Sequence, residues 1–253
     1  MIRLDAGTVL LQWATGGLGF LWVTGRRRQV GLGYGWLLRV SYGLLALGGF
    51  AVGRLTQGSL WRDGACLGVG VVALALTVRS FLRRRQGIAA VAPNLDLLAP
   101  VLGVLGLLIA SGLDGGPYVL ALARNLVGAA FLGVISDAML LGHWYLVQPG
   151  LERAPLLELV RWTALIWPAE VAVMVLPVGM VSVFRGSIDD GWNGLLGWMW
   201  LVSSVTTIGL CVVTRAALRE RQYAAVMAAT GLLYLAILTA FGQDLVARAV
   251  LSG

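Results

Sequence analysis

The sequence predicts an all-α, polytopic integral membrane protein: a bundle of about eight transmembrane helices with both termini on the outer side. Three observations carry that prediction. Apolar residues make up 58% of the 253 residues and charged residues only 12%, about half the usual share in a soluble domain. The apolar stretches are broken at intervals of roughly 25 to 35 residues, close to the ~20 residues that cross ~30 Å of hydrocarbon plus a turn. Finally, all of the positive charge is arginine, with no lysine, and it gathers at alternate ends of those stretches. A basic balance can mean nucleic acid, but arginines at the ends of apolar segments speak for orientation in a bilayer. No nucleic-acid partner is expected.

The first apolar run, Ala6 to Gly25, is followed at once by Arg26, Arg27 and Arg28. A cleavable signal has its basic residues before the apolar core, so this run reads as a retained span. The second, Gly31 to Gly53, carries Arg39 inside it and ends on Gly49-x-x-x-Gly53, a spacing that lets another helix approach closely. The third, Gly64 to Phe81, stops at Arg83, Arg84 and Arg85. The fourth, Ala89 to Leu113, opens with Pro93, Asn94 and Asp96 and closes on the turn Asp114-Gly115-Gly116-Pro117. The fifth runs from Pro117 to Val147 and is broken by Gln148-Pro149-Gly150. It holds the single histidine, His143. The sixth, Leu156 to Val183, contains Pro168 and Pro177 and is expected to bend. The seventh and eighth run from about Gly194 to Thr214 and from Ala224 to about Leu245. With the amino terminus outside, the inner connections receive Arg26–Arg28, Arg79, Arg83–Arg85, Arg153, Arg161, Arg215, Arg219 and Arg221. The outer ends receive only Arg3, Arg54, Arg62, Arg185 and Arg248. Residues 1–253 therefore form one transmembrane domain, with no extramembrane segment long enough to fold by itself.

Charges deep in a bilayer cost at least ~2.5 kcal/mol each, so each is a candidate for function. Asp96, Arg124, Asp137 and Glu170, with Asn125 beside Arg124, meet that condition. Arg124 and Asn125 fall in the outer half of span five, Asp137 and Asp96 in inner halves, and Glu170 near the middle of span six. Together they read as a proton or quinone-headgroup route, or else as polar glue between helices. Gly142-His143-Trp144-Tyr145 reads as an interfacial aromatic belt, and in its sharper version His143, Trp144, Tyr145 and Gln148 contact a quinone. A haem held by His143 and a methionine of another span, or by a partner's ligand, is a further alternative. Met139 cannot be that methionine, because side chains four apart on a helix point the same way whereas axial ligands approach iron from opposite faces. Cys66 and Cys211 sit in separate spans and read as small core residues, and no metal site is expected.

Three functional expectations follow. The first is a subunit, not an enzyme on its own, of a bacterial respiratory or other energy-transducing complex in the cytoplasmic membrane, contributing a proton path or a quinone contact to its redox partner subunits. The second is a small proton-coupled transporter, with its site near Glu170 and the proline bends. The third is a membrane-embedded enzyme acting on lipid, for which no converging catalytic set is visible.

Overall fold

The computed structural model describes residues 4–87, 92–113, 116–148, 150–220 and 222–252, and among them it is helical with no strand. Arg3, residues 89–91 of the fourth run, Asp114 and Gly115 of the turn, Pro149 and Arg221 lie outside the described residues. The helices are α1 (Ala6–Gly25), α2 (Leu32–Leu55), α3 (Leu60–Arg85), α4 (Leu98–Ser111, entered through a 3-10 turn over Pro93–Leu97), α5 (Tyr118–Val147), α6 (Ala154–Val175), α7 (Val181–Phe184), α8 (Leu195–Ala217) and α9 (Tyr223–Ser252).

Seven of these, counting the turn with α4, are long and apolar enough to cross a membrane: α1 to α5, α8 and α9. The expected sixth span, on α6, is not among them. Its 22 residues include Glu158, Arg161 and Glu170, three ionisable groups that take it below the apolarity of the other seven. The expected bend at Pro177 is also replaced by a break. Leu176 is extended, with φ −77° and ψ 147°, as the residue before a proline prefers, so the helix stops at Val175 and α7 forms a separate turn. Pro168, by contrast, is absorbed within α6. At the far end, α9 continues seven residues beyond the expected Leu245 and so carries Arg248 into the bundle.

Local chemistry sets several of the ends. Asp5 caps α1 by accepting the Thr8 N–H at 2.8 Å. Asp190 gathers the start of α8, accepting N–H groups from Gly194 at 2.8 Å, Leu196 at 2.9 Å and Trp192 at 3.0 Å. Slight desolvation works against its charge, but the donations from Gly194, Trp192 and Leu196 outweigh it and hold the carboxyl below its usual range.

The bundle is organised on α1 and α5. Helix α1 packs against α2, α4 and α5, helix α5 against α1, α6 and α9, and α2–α3, α3–α4 and α8–α9 close the two flanks. Glycine makes the central crossing possible. A methyl group on Gly133 would lie 2.1 Å from the backbone of Gly16, and one on Gly16 would lie 1.7 Å from the Ala129 carbonyl oxygen. The two backbones are therefore in direct contact, a small-residue interface of the membrane-helix kind. At the end of the bundle that holds Asp5, Arg62 is buried between Asp63 and Asp5, and Arg54 reaches Asp63 at 3.1 Å. This network ties α1, α2 and α3 together.

Candidate functional site

One position on α5 gathers the polar groups of four helices. A methyl group on Gly128 would lie 2.1 Å from Gln12 Nε2, 3.0 Å from Arg248 Nη2 and 3.1 Å from Asp244 Oδ1. Only a glycine leaves room for them. Arg248 Nε donates to Asp244 Oδ2 at 2.7 Å, one helical turn away on α9, and Arg248 Nη1 donates to Asn125 Oδ1 at 3.2 Å. Glu170 of α6, equally buried, lies within electrostatic reach of Asp244 and Arg248. Gln12, Glu170, Asp244 and Arg248 are all 0% exposed.

The balance of donors and acceptors sets this cluster apart from the other buried polar groups. Buried polar groups in folded proteins are nearly always partnered. Among the described residues, eleven buried side-chain atoms have no hydrogen-bond partner, and seven of those belong to Gln12, Glu170, Asp244 and the neighbouring Gln243. Both oxygens of Glu170 and Oδ1 of Asp244 lack a donor. Two carboxyls face one guanidinium, so the cluster is short of one positive charge, and an uncompensated buried charge costs several kcal/mol or more. A proton held by either carboxyl would supply the missing charge and a donor for one of these oxygens.

The other candidates fall in separate places. Arg124 turns away from the cluster and donates to the Val173 carbonyl at 2.9 Å and the Leu176 carbonyl at 2.8 Å. It caps the carboxyl end of α6, where a cation also meets the helix dipole favourably. Asn125 joins α4 to α9 by donating to Ser111 Oγ at 3.0 Å while accepting from Arg248. Asp137 lies twelve residues further along α5, about 18 Å away at the helical rise. Its Oδ1 accepts the Tyr42 hydroxyl at 2.5 Å, while its Oδ2 is buried without a partner. The tight Gly16–Gly133 crossing lies between Asp137 and Gly128 in the sequence of α5. Asp96 pairs bidentately with Arg39, at 2.7 and 2.9 Å, and the pair lines a cavity of ≈330 Å³ shared with Arg28 and Tyr34. Asp96, Asp137 and Glu170 thus fall in three separate groups, apart from Arg124 and from the Arg62–Asp63 network, and they do not make one line of side chains across the bundle.

The four quinone candidates diverge. His143 is exposed, and its Nδ1 lies 3.2 Å from the Tyr234 hydroxyl of α9. Trp144 packs near Tyr34 and donates to Gln148 Oε1 at 3.1 Å. Tyr145 points inward, donates to the Glu152 carbonyl at 2.6 Å and lines a cavity of ≈220 Å³ with Arg153 and Tyr223. Trp61, Trp192 and Trp198 are exposed, as belt residues are. Cys66 and Cys211 are buried, free, and on different helices, α3 and α8.

Asp244 and Arg248 were missed as site residues by sequence reasoning, which assigned Arg248 to the outer surface. Their i, i+4 spacing within an apolar helix is the signal that finds them. Gln12 and Gln243 carry no comparable signal.

Fold and site together define a class: a helical bundle with seven helices long and apolar enough to cross a membrane and two buried, donor-deficient carboxyls. Comparison with protein-family models, with curated proteins and with solved structures returned no match.

Proposed function

We propose that this chain is a proton-coupled membrane carrier in which Glu170 and Asp244, set against Arg248, take up and release a proton. The observation that carries this reading is a pair of fully buried carboxyls within electrostatic reach of each other, three of whose four oxygens have no donor. Of the charged groups near Glu170, Asp244 and Arg248 come from α9 and Arg124 from α5, the last directed to the end of α6 by its donations to the Val173 and Leu176 carbonyls, while α8 packs on α6 through uncharged groups such as Ser204. Release needs a change in the charge balance, and Pro168, half a turn before Glu170, deletes one helical hydrogen bond and supplies a hinge next to it. The arginine-rich end, holding Arg26–Arg28 and Arg83–Arg85, faces the cytoplasm in this reading, and with α6 crossing as an eighth helix both termini lie outside.

The site is walled by the chain's own helices, which favours a carrier acting alone over a subunit that completes its proton path with a partner. The quinone-contact version of the subunit reading gains no support from His143, Trp144 and Tyr145, whose side chains go to three different neighbours.

Infrared difference spectroscopy across a pH titration of the purified protein tests the proton site. A protonated-carboxyl band that follows pH in the wild type and disappears in Glu170→Gln is expected, and a band unchanged by that substitution would sink the proposal. Proton flux into liposomes by the protein alone then separates carrier from subunit, with Glu170→Gln expected to cut the flux at least tenfold.

A further inference from the structure

At the arginine-rich end, three elements build a basic cleft that the proton chemistry does not use. It has a volume of ≈430 Å³ and is lined by Arg27 after α1, by Leu157, Glu158 and Arg161 of α6, and by Arg215 and Arg219 at the end of α8. Positions 157, 158 and 161 share one face of α6, while Arg215 lies in the last turn of α8 and Arg219 in the turn that follows it. Glu158 is already engaged by Arg26 at 2.7 Å and Arg27 at 3.4 Å. Among the described residues, no ion pair takes up Arg161, Arg215 or Arg219, so three guanidiniums converge on one cleft without a counter-charge.

The surroundings say what kind of anion fits. One turn deeper along the same two helices, Leu165 is 57% and Val212 62% exposed. Beside them stands Trp162, which is 40% exposed and meets Phe20 edge to face. Phosphate groups at the arginines would therefore continue directly into an apolar surface that accepts acyl chains. A soluble phosphate would use only the upper half of this arrangement, and a nucleic acid or acidic peptide would leave the apolar half uncovered.

We infer that the cleft formed by Arg161, Arg215 and Arg219 is a specific site for an anionic phospholipid whose headgroup carries two phosphates. Three guanidiniums match two phosphodiesters better than one, and a basic pocket between membrane helices on the cytoplasmic side is a recurrent setting for such headgroups. This inference is independent of the proton site.

Native mass spectrometry of the full chain, in detergent micelles doped with cardiolipin, phosphatidylglycerol or phosphatidylcholine, tests it, with pyrophosphate as the soluble competitor. Cardiolipin is expected to bind in preference to the others and to resist pyrophosphate. Binding is expected to weaken on the order of 100-fold in the triple variant Arg161→Gln, Arg215→Gln, Arg219→Gln, at roughly fivefold per arginine near a membrane surface. The equal-charge control Arg83→Gln, Arg84→Gln, Arg85→Gln is expected to stay within about twofold of wild type. Equal loss in both triple variants would mean diffuse attraction and overturn the site. Displacement of cardiolipin by pyrophosphate from the wild type would overturn the lipid source, and that measurement holds whether or not the variants fold.

Discussion

At the scale of single residues, the central fact is an imbalance: Glu170 and Asp244 share Arg248, and every group is out of contact with solvent. Removing one partner of a buried ion pair strands the other and costs about 3–5 kcal/mol, whereas replacing both with apolar side chains is often neutral. Arg248→Met is therefore expected to destabilise the protein by about that amount, and Asp244→Leu combined with Arg248→Met to recover most of it. Thermal unfolding in detergent checks both. If the double variant were as unstable as the single one, the guanidinium would be holding the bundle through Asn125 and the Arg124 carbonyl rather than balancing charge. Legibility at this scale was uneven. Glu170 stands out in any apolar helix as an expensive charge, so it was visible. Arg248 was read as a surface arginine because it lies close to the chain end, and only the extension of α9 to Ser252 takes it inside.

At the scale of elements, the α1–α5 contact decides how close the two halves of the bundle can come. Gly133 faces the Gly16 backbone, and a β-branched side chain there has no flexible neighbour to displace. Gly133→Val is expected to cost more than ~3 kcal/mol through overpacking and helix separation. Gly231→Val, where an added methyl meets nothing within 4 Å, is expected to stay within about 1 kcal/mol of wild type, the difference in helix propensity. The melting temperatures of the two variants in the same detergent give the comparison. A spacing pattern pointed instead to Gly49 and Gly53, which do lie against α1 and α3 respectively. Gly16 and Gly133 are not marked by any motif, because a close crossing of two helices distant in sequence leaves only isolated small residues in each.

At the scale of the whole molecule, the distribution of exposed charge sets the expected orientation. Of the arginines assigned to the outer ends, Arg62 and Arg248 are buried in ion pairs, so the exposed charge is more one-sided than the sequence count implied. With Cys66 and Cys211 replaced by alanine, a membrane-impermeant maleimide is expected to label Trp61→Cys in intact cells. The same reagent should reach Arg84→Cys only after the membrane is opened. The reverse pattern would invert the bundle and with it the side from which the lipid cleft is filled.

The sequence by itself determined the helical class and the approximate course of seven helices long and apolar enough to cross a membrane. These follow from composition, run length and charge at the run ends, each of which is local along the chain. The tertiary structure alone decided that Arg39 answers Asp96, that Arg124 caps α6, and that Gln12, Glu170 and Asp244 meet around Gly128. Those pairings join residues up to more than two hundred positions apart. A buried charge announces in the sequence that it needs a partner, but which partner it finds depends on helix rotation and crossing, and these are set by packing.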